Sequence, residues 1–199
     1  MIETPIQPEA GRTSLTEARN IVVKLGTQVL SDPSGRPRLD VDYIHQITGQ
    51  IASLHRDGYR VALVCSGAVG AGCYELGIDQ RPTDTAELQA VAAVGQRGLL
   101  SLLDKAFDSH GLSVGQLLLT RSDFDDRGRF LNIRNCAAHL LSMNCVPVIN
   151  ENDTVAVDEL RFGDNDLLAA LMCNAMRADA LILLSVVEGL LDEQGHRVP

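Results

Sequence analysis

The sequence predicts an α/β domain: a three-layer α/β/α sandwich around a mostly parallel sheet. Three observations carry that expectation. Short apolar runs recur along the chain at Ile21–Leu25, Arg60–Cys65, Ser113–Thr120, Cys145–Ile149 and Ala180–Ser185. Stretches with apolar residues three and four apart separate them. The runs are apolar along their whole length rather than at every second residue. That marks strands buried on both faces, the condition of parallel strands joined by crossover helices.

Each element has a local reason. The first strand ends at Gly26, and Asp32-Pro33-Ser34-Gly35 supplies turn chemistry. From Asp40 to Asp57, Ile44, Ile47, Ile51 and Leu54 share a helical face, and Gly58 stands where a C-terminal cap belongs. Thr83 to His110 is helical in pattern, and Gly95 and Gly98 predict a break into two helices. Phe130 to Met143 is a further amphipathic helix. Gly163 to Met176 is another, with Leu167, Leu168, Leu171 and Met172 on its apolar side. Met1 to Arg19 mixes Pro, Glu, Thr and Arg without the apolar centre of a signal peptide, and reads as a loose tail ahead of one domain over residues 20–199. Pro199 falls in a loop after the fifth strand with no covering helix to follow, so the domain is expected to stop early.

Composition narrows the function. The chain has 199 residues, 45% of them hydrophobic and 22% charged, as expected of a globular protein. With no Trp, 4% aromatics and a net charge of -9, it offers neither a stacking platform nor a positive field for nucleic acid. Phosphate, if bound, must be held locally. No stretch is apolar for long enough to span a membrane, and nothing in the cysteine pattern points to an oxidising compartment, so the cytoplasm is the expected location. The five cysteines contain no C-x-x-C pair and are expected to be buried free thiols. The histidines have no ligand spacing and are expected at the surface, and no resident metal site is expected.

In open α/β sheets, ligands bind beyond the carboxyl ends of the strands. Polar and glycine-rich residues gather there: Lys24 and Gly26 after the first strand, Ser66-Gly67-Ala68 after the second, Asn150-Glu151-Asn152-Asp153 after the fourth and Ser185 after the fifth. Lys24 sits in an apolar strand, so its ammonium must either be paired or reach solvent. A point charge against transferring phosphate oxygens is the functional reading. Ser66 to Gly72 is a strand-to-helix turn of small residues, suited either to an anion or to tight helix packing, and it is no Walker A loop. Gly163-Asp164-Asn165-Asp166 is read as a helix start, and Asn150 to Asp153 as a polar loop. Together, the two acid and amide clusters could hold an α-amino group while lysine and backbone amides hold negative charge.

At these clusters the sequence resembles the amino acid kinase family, and within it the branch that phosphorylates the side-chain carboxylate of glutamate. The matching stretches are VVKLGTQVL, CSGAVGAG, AVAAVGQRGLL, GQLLLTRSDF, RFLNIRN, PVINENDTVA and FGDNDLLAAL, spread from about Ile21 to Leu190. The resemblance implies a substrate pair of L-glutamate and ATP with Mg2+. It implies that Lys24 contacts the transferring phosphate, that Ser66, Asp153 and Asn165 bind glutamate, that Gly67 and Asn150 line the same pocket, and that Asp166 orients lysine. Gly26, Ser185 and Val186 would lie toward the nucleotide. Proline as feedback inhibitor and a homo-oligomeric assembly are further expectations, with neither nucleic acid nor membrane as partner.

The sequence departs from the family pattern in two places. Ser185-Val186 stands where the family carries Thr-Asp, so a carboxylate acceptor for the nucleotide is missing. A later glycine-rich loop with a second phosphate-binding lysine has no counterpart. A catalytically silent glutamate-binding or assembly module, and a kinase for another small carboxylate, are the competing expectations.

Overall fold

The computed structural model describes residues 17–32, 38–156 and 165–187, together with Gly189, Asp192, Gln194 and His196. Its elements run β1 (Asn20–Leu25), α1 (Thr27–Leu30), α2 (Val41–Arg56), β2 (Arg60–Cys65), α3 (Ala68–Leu76), α4 (Thr85–Asp108), β3 (Ser113–Leu119), α5 (Ser122–Asp125), α6 (Arg127–Ser142), β4 (Cys145–Glu151), α7 (Asn165–Met176) and β5 (Ala180–Leu184). The strands form one sheet in the order β3-β4-β2-β1-β5, and every neighbouring pair is parallel. All five carboxyl ends therefore meet along one edge. Of the expected tail, all but the last residues lie outside the described ones; Ala18 is buried and Arg19 lies over the Tyr59 ring.

Alternation along β1 sets which layer each side chain meets. Ile21, Val23 and Leu25 enter a core with Val61, Leu63 and Cys65 of β2, closed by Ile44 and Ile51 of α2 and by Leu99, Leu103 and Phe107 of α4. Val22 points the other way, into a core with Val64, Ile149, Ile133 and Ala137 of α6, and Leu168 and Met172 of α7. Lys24 shares the parity of Val22, so the strand pleat itself turns this lysine toward α7. The three layers follow, and they are the expected architecture.

Helix starts have identifiable caps. Asp40 accepts from the Tyr43 amide, Asp84 from Glu87 and Asp126 from Arg129, each at 2.8–3.0 Å. The Asp126 cap starts α6 three residues ahead of the expected Phe130. The anticipated break at Gly95 and Gly98 does not occur: α4 runs unbroken from Thr85 to Asp108. Gly95 is there for packing. A Cβ on it would lie 1.9 Å from the Ala68 carbonyl oxygen and 2.2 Å from the Gly72 nitrogen, and one on Gly72 would lie 2.0 Å from the Val91 carbonyl oxygen. The backbones of α3 and α4 thus touch through paired glycines.

The cysteines also differ in part from expectation. All five are free, with Cys65 and Cys73 buried, Cys145 and Cys173 half-buried, and Cys136 exposed on α6. His55 is half-buried rather than superficial, its ring nitrogen 3.3 Å from the Val61 carbonyl.

The glycine contact generates a stability prediction. Gly95→Ala should destabilise by on the order of 1–3 kcal/mol, because the clash is with backbone that cannot step aside. This outweighs the roughly 1 kcal/mol that Gly→Ala gives in an unhindered helix. Chemical denaturation should show a lower midpoint, and a midpoint at or above wild type would contradict the contact.

Candidate active site

The strand-end residues fall into two groups. In the first, Lys24 Nζ lies 2.6 Å from Asp166 Oδ1 in the first turn of α7. Lys24 is only 8% exposed, whereas the Asp166 side chain keeps 44% of its surface. The ammonium is therefore paired, not snorkelling. Removing Asp166 would take a paired carboxylate from a largely buried ammonium. Gly26 follows at the end of β1, with its N–H donating to Leu184 O of β5 at 3.3 Å. A Cβ there would stand 3.6 Å from Lys24 Nζ, so the bare glycine keeps the approach to the ammonium open. Ser185 and Val186 lie just past β5, both exposed, and the Val187 N–H donates to Ser185 Oγ at 3.4 Å.

The second group is a buried amide network. Asn165 Nδ2 donates to Cys65 O at 3.0 Å, Ser66 Oγ at 3.0 Å and Asn150 Oδ1 at 2.9 Å. Asn150 Oδ1 also accepts the Glu151 N–H at 2.8 Å, and Asn150 Nδ2 donates to Gln96 Oε1 of α4 at 2.7 Å. Ser66, Asn150 and Asn165 are each less than a tenth exposed. Gly67 caps α3 with φ 108°, a left-handed conformation that favours glycine, and a Cβ there would press on Leu39 at 3.2 Å. Asn150 and Glu151 belong to β4 itself, and the expected loop is a turn over Asn152–Val155, held by Asn152 accepting from the Val155 and Ala156 amides. Gly163 and Asp164 lie outside the described residues; Asn165 opens the helix.

Asp153 sits on that turn, half-buried. It lines a cleft of about 670 Å³ between α4 and β3, with Gln96, Glu151, Asn152 and Thr154. Burial pushes its carboxyl up to about 6, partly countered by Arg81. No hydrogen bond ties Asp153 to the amide network; Gln96, which belongs to both, joins them. Sequence reasoning missed Gln96. It lies inside the AVAAVGQRGLL stretch, but a glutamine on a helix gives no sign of its role until Asn150 is found against it. A larger cleft of about 850 Å³, lined by Arg38, Tyr43, Tyr74 and Arg97 among others, includes none of the strand-end residues named above. Among the described residues no group of three or more His, Cys, Asp or Glu side chains is placed to hold a metal ion.

The raised Asp153 pKa sets a pH dependence. The folded state holds this proton up to about pH 6, while the unfolded chain releases it near 3.8. Stability is therefore lost as pH rises through that window. Asp153→Asn should raise the melting temperature at pH 7.5, with the gain shrinking between about pH 6 and 4. A gain unchanged at pH 4 would show that the carboxylate is not the cause.

Comparisons with known proteins place the chain. The amino acid kinase family model matches residues 19–199. The glutamate 5-kinase of Chromohalobacter salexigens is 49% identical over 96% of this chain, and that of Bifidobacterium animalis subsp. lactis 46% identical over 95%. The chain spans about half the length of these curated relatives, 50% and 49% respectively. The crystal structure of UMP kinase from Bacillus anthracis superposes with a TM-score of 0.60 at 19% identity, over 88% of this chain and 68% of that one, a likeness of fold alone. No helix among the described residues is long and apolar enough to cross a membrane. By its sequence match and its sheet, the chain belongs to the amino acid kinase family.

Proposed function

We propose that the chain is the glutamate-binding part of a glutamate 5-kinase, which transfers the γ-phosphoryl group of ATP to the side-chain carboxylate of L-glutamate in the first step of proline biosynthesis. The observation that carries this reading is one paired ammonium, Lys24 on Asp166, set one strand from the Ser66–Asn165–Asn150 amide network. The likeness to the glutamate 5-kinases supports it.

The chemistry suits these groups. A glutamate side chain has a reference pKa of about 4.3, so the nucleophile is already ionised at neutral pH and needs no general base. One carboxylate oxygen bonds to the γ-phosphorus, the bond from phosphorus to the β–γ bridging oxygen breaks, and ADP leaves. Two anions must be held in line while charge spreads over the phosphoryl oxygens. Lys24 would neutralise part of that charge, aimed by Asp166. Asp153 would take the substrate ammonium, and Ser66, Asn165, Asn150 and Gly67 would shape the pocket. Gly26, Ser185 and Val186 lie on the side of the sheet edge where the nucleotide would sit. Mg2+ would arrive with the ATP and shield its phosphates. The same reading places the enzyme in the cytoplasm, with proline as feedback inhibitor and a homo-oligomeric assembly.

Two predictions follow from these roles. By calorimetry, glutamate should bind the chain more tightly than aspartate, and Asp153→Ala should cost on the order of 2–3 kcal/mol, roughly 30- to 150-fold in Kd. Equal affinity in wild type and variant would remove Asp153 from the site. Lys24→Ala should preserve glutamate binding but lower ATP-dependent γ-glutamyl hydroxamate formation at least a hundredfold, measured in a protein of its relatives' full length. Lys24→Arg should fail as well, since a planar fork does not replace a compact ammonium. An active Lys24→Ala enzyme would sink the mechanism.

A further inference from the structure

We infer that Gln96 is a substrate-binding residue, its side-chain N–H taking the α-carboxylate of the amino acid whose ammonium meets Asp153. The inference rests on the glutamate-kinase reading above and deepens it.

The amide network fixes which way Gln96 points. Asn150 Oδ1 is claimed by two donors, the Glu151 N–H and Asn165 Nδ2. Asn150 must therefore turn its own Nδ2 toward Gln96, and the atom facing it must be an acceptor, Oε1, at 2.7 Å. A flipped Gln96 would set donor against donor. The polarity that begins at Asn165 thus passes along the relay and leaves Gln96 Nε2 at its open end. That nitrogen is covered from solvent and has no hydrogen-bond partner. An unpaired buried donor is costly, and such groups call for a reason.

The surroundings supply one. Gln96 lines the cleft that holds Glu151, Asn152, Asp153 and Thr154. The last torsion of a glutamine side chain is broad, so a small turn of the amide opens its N–H to the cleft at little cost. Asp153 is an acceptor and suits an ammonium. Arg97 also borders the cleft but is engaged by Glu75, and the Thr154 hydroxyl donates to Asn152 Oδ1 at 2.6 Å. Gln96 and Asp153, lining one cleft, offer a donor and an acceptor for the two halves of an α-amino acid head. Asn150 stands on β4 and Lys24 on β1, with β2 between them, so the relay that ends at Gln96 and the ammonium lie at the same carboxyl edge of the sheet, about two strand spacings, roughly 10 Å, apart along it.

The test is calorimetric titration of the 199-residue chain and of Gln96→Glu and Gln96→Met with L-glutamate and with 4-aminobutyrate, which lacks the α-carboxylate. Gln96→Glu keeps an acceptor for Asn150 and sets a carboxylate against the ligand. Gln96→Met keeps the length and removes both polar atoms, so the test does not depend on one variant folding. Expected are near-native melting temperatures for Gln96→Glu, at least a tenfold loss of glutamate affinity, and a much smaller change for 4-aminobutyrate. Glutamate binding at wild-type strength would overturn the assignment, as would equal losses for both ligands, which a merely structural role would give. Failure of the wild-type chain to bind glutamate at all would overturn the reading beneath it, and the inference with it.

Discussion

One buried nitrogen, Asn165 Nδ2, governs the arrangement of the strand ends. It carries two hydrogens and reaches three acceptors on two strands, Cys65 O and Ser66 Oγ of the β2 end and Asn150 Oδ1 of β4. The same residue opens α7, so the helix start is registered against the sheet by an amide rather than by apolar packing alone. That registration decides where the next residue falls. Asp166 arrives beside Lys24, which the pleat of β1 has turned to the α7 face. A partly satisfied buried network is costly, a fully satisfied one rigid. Here every link is made except at Gln96, where the cleft begins.

The α3–α4 glycine contact supports the same edge from the other layer. Because Gly72 and Gly95 let the backbones of α3 and α4 touch, α4 passes close enough to bring Gln96 against Asn150. A side chain at either glycine would push α4 outward and open the relay. The glycine-rich run after β2 therefore has two jobs along its length. Gly67 serves the local turn through a positive φ, whereas Gly72 serves a helix–helix interface.

How far the sequence could be read follows from this division. The strands, the layers and the position of Lys24 were legible, since continuous apolar runs and a lysine inside one of them are local signals. The unbroken α4 was not. A glycine in a helix reads as a break when its neighbours are counted alone, and its partner, the Ala68 carbonyl, lies far away in sequence. Gln96 was hidden for the same reason. Its chemistry is set by Asn150, 54 positions on, and by the two donors that fix Asn150 in turn. The residue pattern showed Asn165 and Asp166 only as a helix start, and their separate roles came from the family resemblance; the contrast in burial, one inside the amide network and the other half-exposed beside a charge, is visible only in the structure.

The two groups differ in electrostatic character, and the difference runs along the sheet edge. From β4 to β2 the linked polar atoms are neutral amides and a hydroxyl, with carboxylates at Glu151, the last residue of β4, and at Asp153 on the turn beyond. At β1 sits the Lys24 ammonium, paired with the Asp166 carboxylate, and past it β5 offers Ser185 and an exposed Val186. On the glutamate-kinase reading, two anionic substrates would have to meet on a protein whose net charge of -9 supplies no attracting field. Neutral amides would resolve part of this, since they can bind a carboxylate without adding charge that a second anion would have to balance. The Lys24 ammonium, paired with Asp166, would then be left for the one place where charge changes during transfer. On that reading, recognition by dipoles at one end and charge compensation at the other would be the division of labour that suits an acidic scaffold.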